Sequence, residues 1–138
     1  MGGVALNFLL DTHTWIQRVL GEPLPATVEK VLEEAAILAL ADISLWEAAK
    51  LVELGRLEID VSLEEFYRCA LSPEIRILPI TPAIATKASE LEALGFHKDP
   101  ADQLIVATAL VHGLRLISDD SRIRQWGQVP LLWRTSRG

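Results

Sequence analysis

The sequence predicts an α/β protein: a three-layer α/β/α fold with a central parallel sheet. Short apolar runs alternate with longer stretches of helical spacing, the order that produces parallel strands joined by covering helices. The apolar runs are nearly continuous rather than alternating, as expected of strands buried on both faces. A third pattern bears on function. Asp11, Glu47, Asp102 and Asp120 each follow an apolar run and open a helical one.

The elements follow in order. Residues 5–10 form a short strand ended by Asp11. Residues 12–21 have helical spacing, with Trp15, Ile16, Val19 and Leu20 on one face. Glu22, Pro23 and Pro25 break the chain before a second helix over residues 26–35, patterned by Val28, Val31 and Leu32. Residues 37–41 are strand-like. Ser44 opens a helix that runs to Gly55, a residue suited to the position after a helix end. Residues 63–71 are helical, and residues 75–80 form a strand stopped by Pro79 and Pro82. A helix over residues 83–94 ends at Gly95. Pro100 stands at a favoured first helical position, and that helix runs to His112 with Gly113 as its stop. Residues 114–117 form a strand, 121–126 a short helix and 129–133 a last strand-like piece.

At 138 residues the chain is expected to be one domain, residues 1–138, and half its residues are apolar, enough for a core. The apolar run from Leu104 to Val111 is too short to span a bilayer. The start, Met1-Gly2-Gly3-Val4, lacks the basic segment of a secretion signal. A cytoplasmic protein with no membrane partner is the expectation. Cys69 lies among apolar neighbours and is expected in the core.

The net charge of −6 argues against gripping nucleic acid by bulk electrostatics. The distribution is more informative. After Asp120 come Arg122, Arg124, Arg134 and Arg137 and no acid, while His97 and Lys98 flank the third acidic motif. A basic rim beside an acidic pocket suits a phosphodiester. The three histidines lack zinc-ligand spacing. His13 is expected to be packed or solvent-facing, and His112 to complement its helix end. Trp15 and Trp46 sit on apolar helical faces and point to core or partner contact rather than base stacking.

In a parallel sheet the carboxyl ends of the strands share one edge, where ligands bind. Acids from four such ends can converge there, though they lie far apart in sequence. Packed carboxylates repel and resist desolvation unless a cation lies between them, and a hard divalent ion suits oxygen ligands. Each acid also fits as a helix cap: Asp11, Asp99 and Asp120 as N-caps, Asp102 in a first turn, and Ser44 with Glu47 as a capping box. The two roles are compatible, because helix N-termini favour ionised carboxylates.

Leu9-Leu10-Asp11-Thr12-His13, Ser44-Leu45-Trp46-Glu47, Asp99-Pro100-Ala101-Asp102-Gln103 and Ser118-Asp119-Asp120, in that order, resemble a PIN-domain nuclease. The resemblance is strongest to the VapC-type toxins of type II toxin–antitoxin pairs and covers nearly the whole chain. It implies a roughly five-stranded sheet and a metal-dependent endoribonuclease. Asp11, Glu47, Asp102 and Asp120 become the catalytic, metal-binding acids, with Mg²⁺ as cofactor and Mn²⁺ as substitute. Asp11 and Asp102 are the principal ligands. Ser118 stands where the family often has Thr and is expected to hold Asp120 or a metal-bound water; Asp99 and Ser44 support the site, and Asp119 is an extra acid. Gln103 stands where many relatives have Arg, which removes a phosphate contact. The implied partners are an RNA substrate (transfer or ribosomal RNA), an antitoxin protein and a second copy of the chain.

Two other classes are compatible with parts of the pattern. An aspartyl-phosphate phosphatase would need a second Asp where His13 stands, and a phospho-receiver would need a Lys at the late strand end, which reads Ile117-Ser118-Asp119-Asp120. A non-catalytic binding module would use the acids as caps and the apolar helices as a partner surface.

Overall fold

The computed structural model describes residues 6–133. Ala5, the Met1–Val4 segment, and Arg134 and Arg137 of the basic tail lie outside the described residues.

Among these residues the chain runs β1 (Phe8–Leu10), α1 (Thr12–Val19), α2 (Ala26–Glu34), β2 (Leu38–Ala41), α3 (Ile43–Glu53), α4 (Leu63–Ala70), β3 (Ile75–Leu78), α5 (Pro82–Glu90), α6 (Pro100–His112), β4 (Arg115–Ile117), α7 (Ser121–Trp126) and β5 (Leu131–Leu132). The strands form one five-stranded sheet in the order β3-β2-β1-β4-β5, and every pairing is parallel.

Alternation along the strands divides the core. Leu9, Ala39, Ala41 and Leu116 face one side, packed with Ile84, Ala88, Ile105, Ala109 and Ile123 from α5, α6 and α7. Leu10, Leu38, Leu40 and Ile117 face the other, packed with Trp15, Val28, Leu32, Ala48 and Phe66 from α1 to α4. This is the three-layer arrangement. Polar anchors fix the second layer: Trp15 Nε1 donates to Ala70 O at 3.0 Å and Tyr67 Oη to Leu45 O at 2.5 Å. No helix among the described residues is long and apolar enough to cross a membrane.

Departures from expectation have local causes. Pro82 begins α5 instead of merely ending β3, because Thr81 accepts from Ile84 N and caps the helix. The helix expected over residues 83–94 stops at Glu90, and a 3₁₀ turn, Glu92–Leu94, leads to Gly95 at φ 93°. Cys69 is exposed, not core: α4 turns Phe66 and Ala70 inward, which leaves Cys69 beside Glu65 on the outer face. Trp15 is fully buried, but Trp46 is 57% exposed, with Lys50 Nζ 5.6 Å from its ring centroid.

Candidate active site

The sheet brings Asp11, Glu47, Asp102 and Asp120 to the edge formed by its carboxyl strand ends. Asp11 follows β1 directly. Its backbone N–H donates to Ile117 O at 3.0 Å, which extends the β1–β4 ladder by one residue and fixes the acid at the centre of the sheet. Its side chain caps α1 by accepting from Thr12 N at 2.8 Å. Ser118, just past β4, donates to the other oxygen at 2.6 Å. Ser118 Oγ also accepts from Asp120 N at 3.1 Å, so one buried hydroxyl joins two acid-bearing loops.

Glu47 arrives from α3. Thr12 Oγ1 donates to Glu47 Oε1 at 2.5 Å and lies 2.7 Å from Ser44 Oγ. This corrects the capping-box expectation for Ser44. The residue at the α3 N-cap is Asp42, which makes no side-chain cap, and Ser44 lies inside the first turn, fully buried. Its hydroxyl turns to Thr12, a tertiary partner, because α1 and α3 meet at this point.

Asp102 sits in the first turn of α6, where Asp99 caps the helix by accepting from Asp102 N at 3.1 Å. Asp102 Oδ2 receives two groups from the protein: His97 Nε2 at 2.7 Å and Arg122 Nη2 at 3.2 Å. Arg122 also reaches Asp120 Oδ2 at 3.8 Å. Asp120 caps α7, accepting from Arg122 N and Ile123 N. Asp119 is exposed and pairs with Arg124 at 3.7 Å. Gln103 Nε2 donates to His97 O at 3.0 Å and so faces its own chain.

The carboxyl groups sense one another. Burial pushes Asp11 up from 3.8 to about 6, opposed by the Ser118 hydrogen bond and reinforced by the charges of Asp102 and Glu47. Glu47 is raised by burial, against the Thr12 hydrogen bond. Asp102 is raised by burial, against the His97 hydrogen bond and with added repulsion from Asp99 and Asp120. A cavity of about 680 Å³ opens here, lined by Asp11, Glu47, Asp99, Asp119 and Asp120, with His13 and Arg56 and an apolar wall of Ile16, Leu20, Leu51 and Leu57.

Among the described residues no three carboxylate, imidazole or thiol groups stand close enough to hold a metal as they are now turned. The donor set still fits a hard cation. It is all oxygen, largely buried, and Asp11 and Glu47 meet only neutral hydroxyl and amide donors. Buried carboxylates of like charge with no cation between them are the condition such an ion relieves.

Sequence reasoning missed Thr12, and it placed His97 and Arg122 only in a basic rim. The signal for Thr12 was its position directly after Asp11, on the helix that meets α3.

Comparisons with known proteins bear on the family and the fold. The model of the PIN domain matches residues 8–128. Ribonuclease VapC22 of Mycobacterium tuberculosis is 38% identical over 120 residues, which cover 84% of this chain and 88% of the relative. Two solved structures share the fold at lower identity. VapBC2 from Rickettsia felis, bound to a fragment of promoter DNA, superposes with a TM-score of 0.70 at 17% identity, over 94% of this chain and 100% of that one. FitAcB from Neisseria gonorrhoeae gives 0.64 at 24% identity, over 91% and 96%. Family match, relative and fold coincide with an acidic edge built from strand ends, and the chain belongs to the PIN-domain family, in its VapC-type branch.

Proposed function

We propose that this chain is a metal-dependent endoribonuclease, a single-domain toxin of a type II toxin–antitoxin pair acting in the cytoplasm. The observation that carries the reading is the meeting of Asp11, Glu47 and Asp102 at one sheet edge, where burial raises all three carboxyl groups and the charge of Asp102 raises Asp11 and Glu47 further. The 38% identity to a protein named a ribonuclease supports it.

Asp11 and Asp102 are the principal ligands of a Mg²⁺ or Mn²⁺ ion, with Glu47 and Asp120 binding directly or through water. When bound, such an ion supplies the Lewis acidity that activates water for attack at phosphorus and stabilises the departing oxygen. The chain's own residues prepare the site. Ser118 and Thr12 N hold the two oxygens of Asp11, and Thr12 Oγ1 holds Glu47. Asp99 fixes the first turn that carries Asp102. On the cavity wall Arg56 offers positive charge, and His13 a hydrogen-bonding ring, to a phosphate backbone. No side-chain nucleophile is required.

The substrate is RNA, of the transfer or ribosomal kind. The apolar wall beside the acids, with Leu20 at the surface, gives an antitoxin segment a groove. Exposed Trp46, Leu54 and Ile80 supply apolar area for that partner and for a second copy of the chain.

The test is cleavage of a mixed cellular RNA pool by the purified chain, with Mg²⁺ or Mn²⁺ against EDTA and Asp11→Asn in parallel. Discrete fragments that require both metal and Asp11 are expected. A folded, antitoxin-free chain that cuts equally well in EDTA, or as the Asn variant, would sink the reading.

A further inference from the structure

Two groups reach the same oxygen of Asp102, and they are held very differently. Arg122 comes from the solvent side, with 55% of its side chain exposed. The His97 side chain is 18% exposed and is fixed at three points. Its ring lies against Phe96 with centroids 4.2 Å apart, its Nε2 meets Asp102 Oδ2 at 2.7 Å, and its carbonyl accepts from Gln103 Nε2 at 3.0 Å. Gln103 is the next residue after Asp102 on the first turn of α6. The helix that carries the acid thus also holds the residue that grips the acid.

We propose that Gln103 and His97 are positioning residues for Asp102. The Gln103 amide fixes the His97 backbone, and the His97 ring holds Oδ2 so that the carboxylate presents its second oxygen in a set orientation. This rests on Asp102 as a ligand of the divalent ion. It also gives Gln103 a task other than phosphate contact. Hydrogen-bonded supports of this kind orient ligands, and their removal weakens metal affinity.

A positioning donor and a competing cation predict opposite signs. If His97 merely stood in for the metal as a counter-charge, its removal would tighten metal binding. If it positions Asp102, removal loosens it. Mn²⁺ affinity of the full chain, measured by calorimetry, separates the two. His97→Ala should weaken binding by about 10- to 100-fold, the usual cost of losing a support behind a ligand. His97→Gln keeps a donor and should recover most of the loss. Gln103→Met should weaken binding by a smaller factor, and Gln103→Arg, which restores a donor, should bind more tightly than Gln103→Met.

A metal-free arm reads the contact itself. The ¹⁵N resonance of His97 Nε2 should move in Asp102→Asn and in Gln103→Met. Binding by His97→Ala as tight as the unmodified chain, or a ring signal indifferent to Asp102→Asn, overturns the proposal. Asp11→Asn is the control for the site. If the unmodified chain and Asp11→Asn bind Mn²⁺ alike, or neither binds, the metal reading fails, while the ring signal still decides whether the contact exists.

Discussion

The two halves of the acidic edge solve the same electrostatic problem in different ways. Asp11 and Glu47, on the β1–α3 side, are held by hydroxyls and a backbone amide: Ser118, Thr12 Oγ1 and Thr12 N. Asp102 and Asp120, on the α6–α7 side, share Arg122, and Asp102 adds His97. Asp11 is buried and Glu47 half-buried, and neither makes an ion pair among the described residues. Asp102 is buried too and Asp120 half-buried, but their charges are answered by the protein's own side chains. A neutral hydrogen bond lowers the cost of a buried charge but does not cancel it, so repulsion accumulates in the first half. On the proposed reading, a divalent ion would relieve most at Asp11, whereas at Asp102 it would meet a charge already partly answered.

The contrast breaks most visibly at Asp11. Its folded pKa of about 6 lies above the ordinary 3.8, so the unfolded chain loses this proton first as pH rises. The stability this group contributes is fully present below about pH 4 and is lost as pH rises through 6. Asp11→Asn should therefore stabilise the metal-free protein at pH 7 by up to about 3 kcal/mol, with the gain fading toward pH 4 in urea titrations. A destabilised Asn variant at pH 7 would show that capping of α1, not charge, dominates there.

Thr12→Val comes next. It strips a partner from both Ser44 and Glu47 in a buried setting, and should cost about 1–3 kcal/mol by chemical denaturation. Cleavage should fall as well, because Glu47 loses its only side-chain anchor among the described residues. Ser118→Ala should cost about 1–2 kcal/mol at pH 7, and less near pH 4, where Asp11 is protonated and needs the hydroxyl less. The smallest effect belongs to the other half. Arg122→Gln removes a half-exposed guanidinium from Asp102 and Asp120 but leaves His97 on Asp102, and should change stability by no more than about 1 kcal/mol, measured by thermal unfolding in low salt. A loss as large as that of Thr12→Val would erase the distinction between the halves.

The difference between the halves also explains what was legible in the sequence. Strand ends, helix caps and the order of the acids are local signals, and Asp11, Asp99 and Asp120 cap their helices as the pattern predicts. The parallel sheet and its burial on both faces follow from apolar runs such as Leu38–Ala41, whereas the strand order, set by pairings far apart in sequence, was not legible. Contacts made across the fold were not legible. Ser44 reads as a cap because Glu47 stands three residues on, yet its hydroxyl is taken by Thr12, a residue 32 positions away. His97 and Arg122 read as surface charge, because nothing in their own segments says that a loop and a helix will bring them to one carboxylate oxygen. Cys69 reads as core from its neighbours, yet the phase of α4 turns it outward.

The hydrogen bond from Ser118 to Asp11 spans 107 residues, and it closes beside the central strand. That spacing imposes a schedule. During synthesis β1 can pair with β2 before the segments that carry β4 and α7 are made, and Thr12, Ser44 and Glu47 can gather then. The other flank of β1 stays an open edge until β4 emerges, and at about 5–20 residues per second this takes several seconds more. Until then Asp11 lacks the hydroxyl that makes its burial tolerable, and Asp102 and Asp120 are not yet beside it. The four acids thus come together in one late step, when β4 and α7 join the strands already paired.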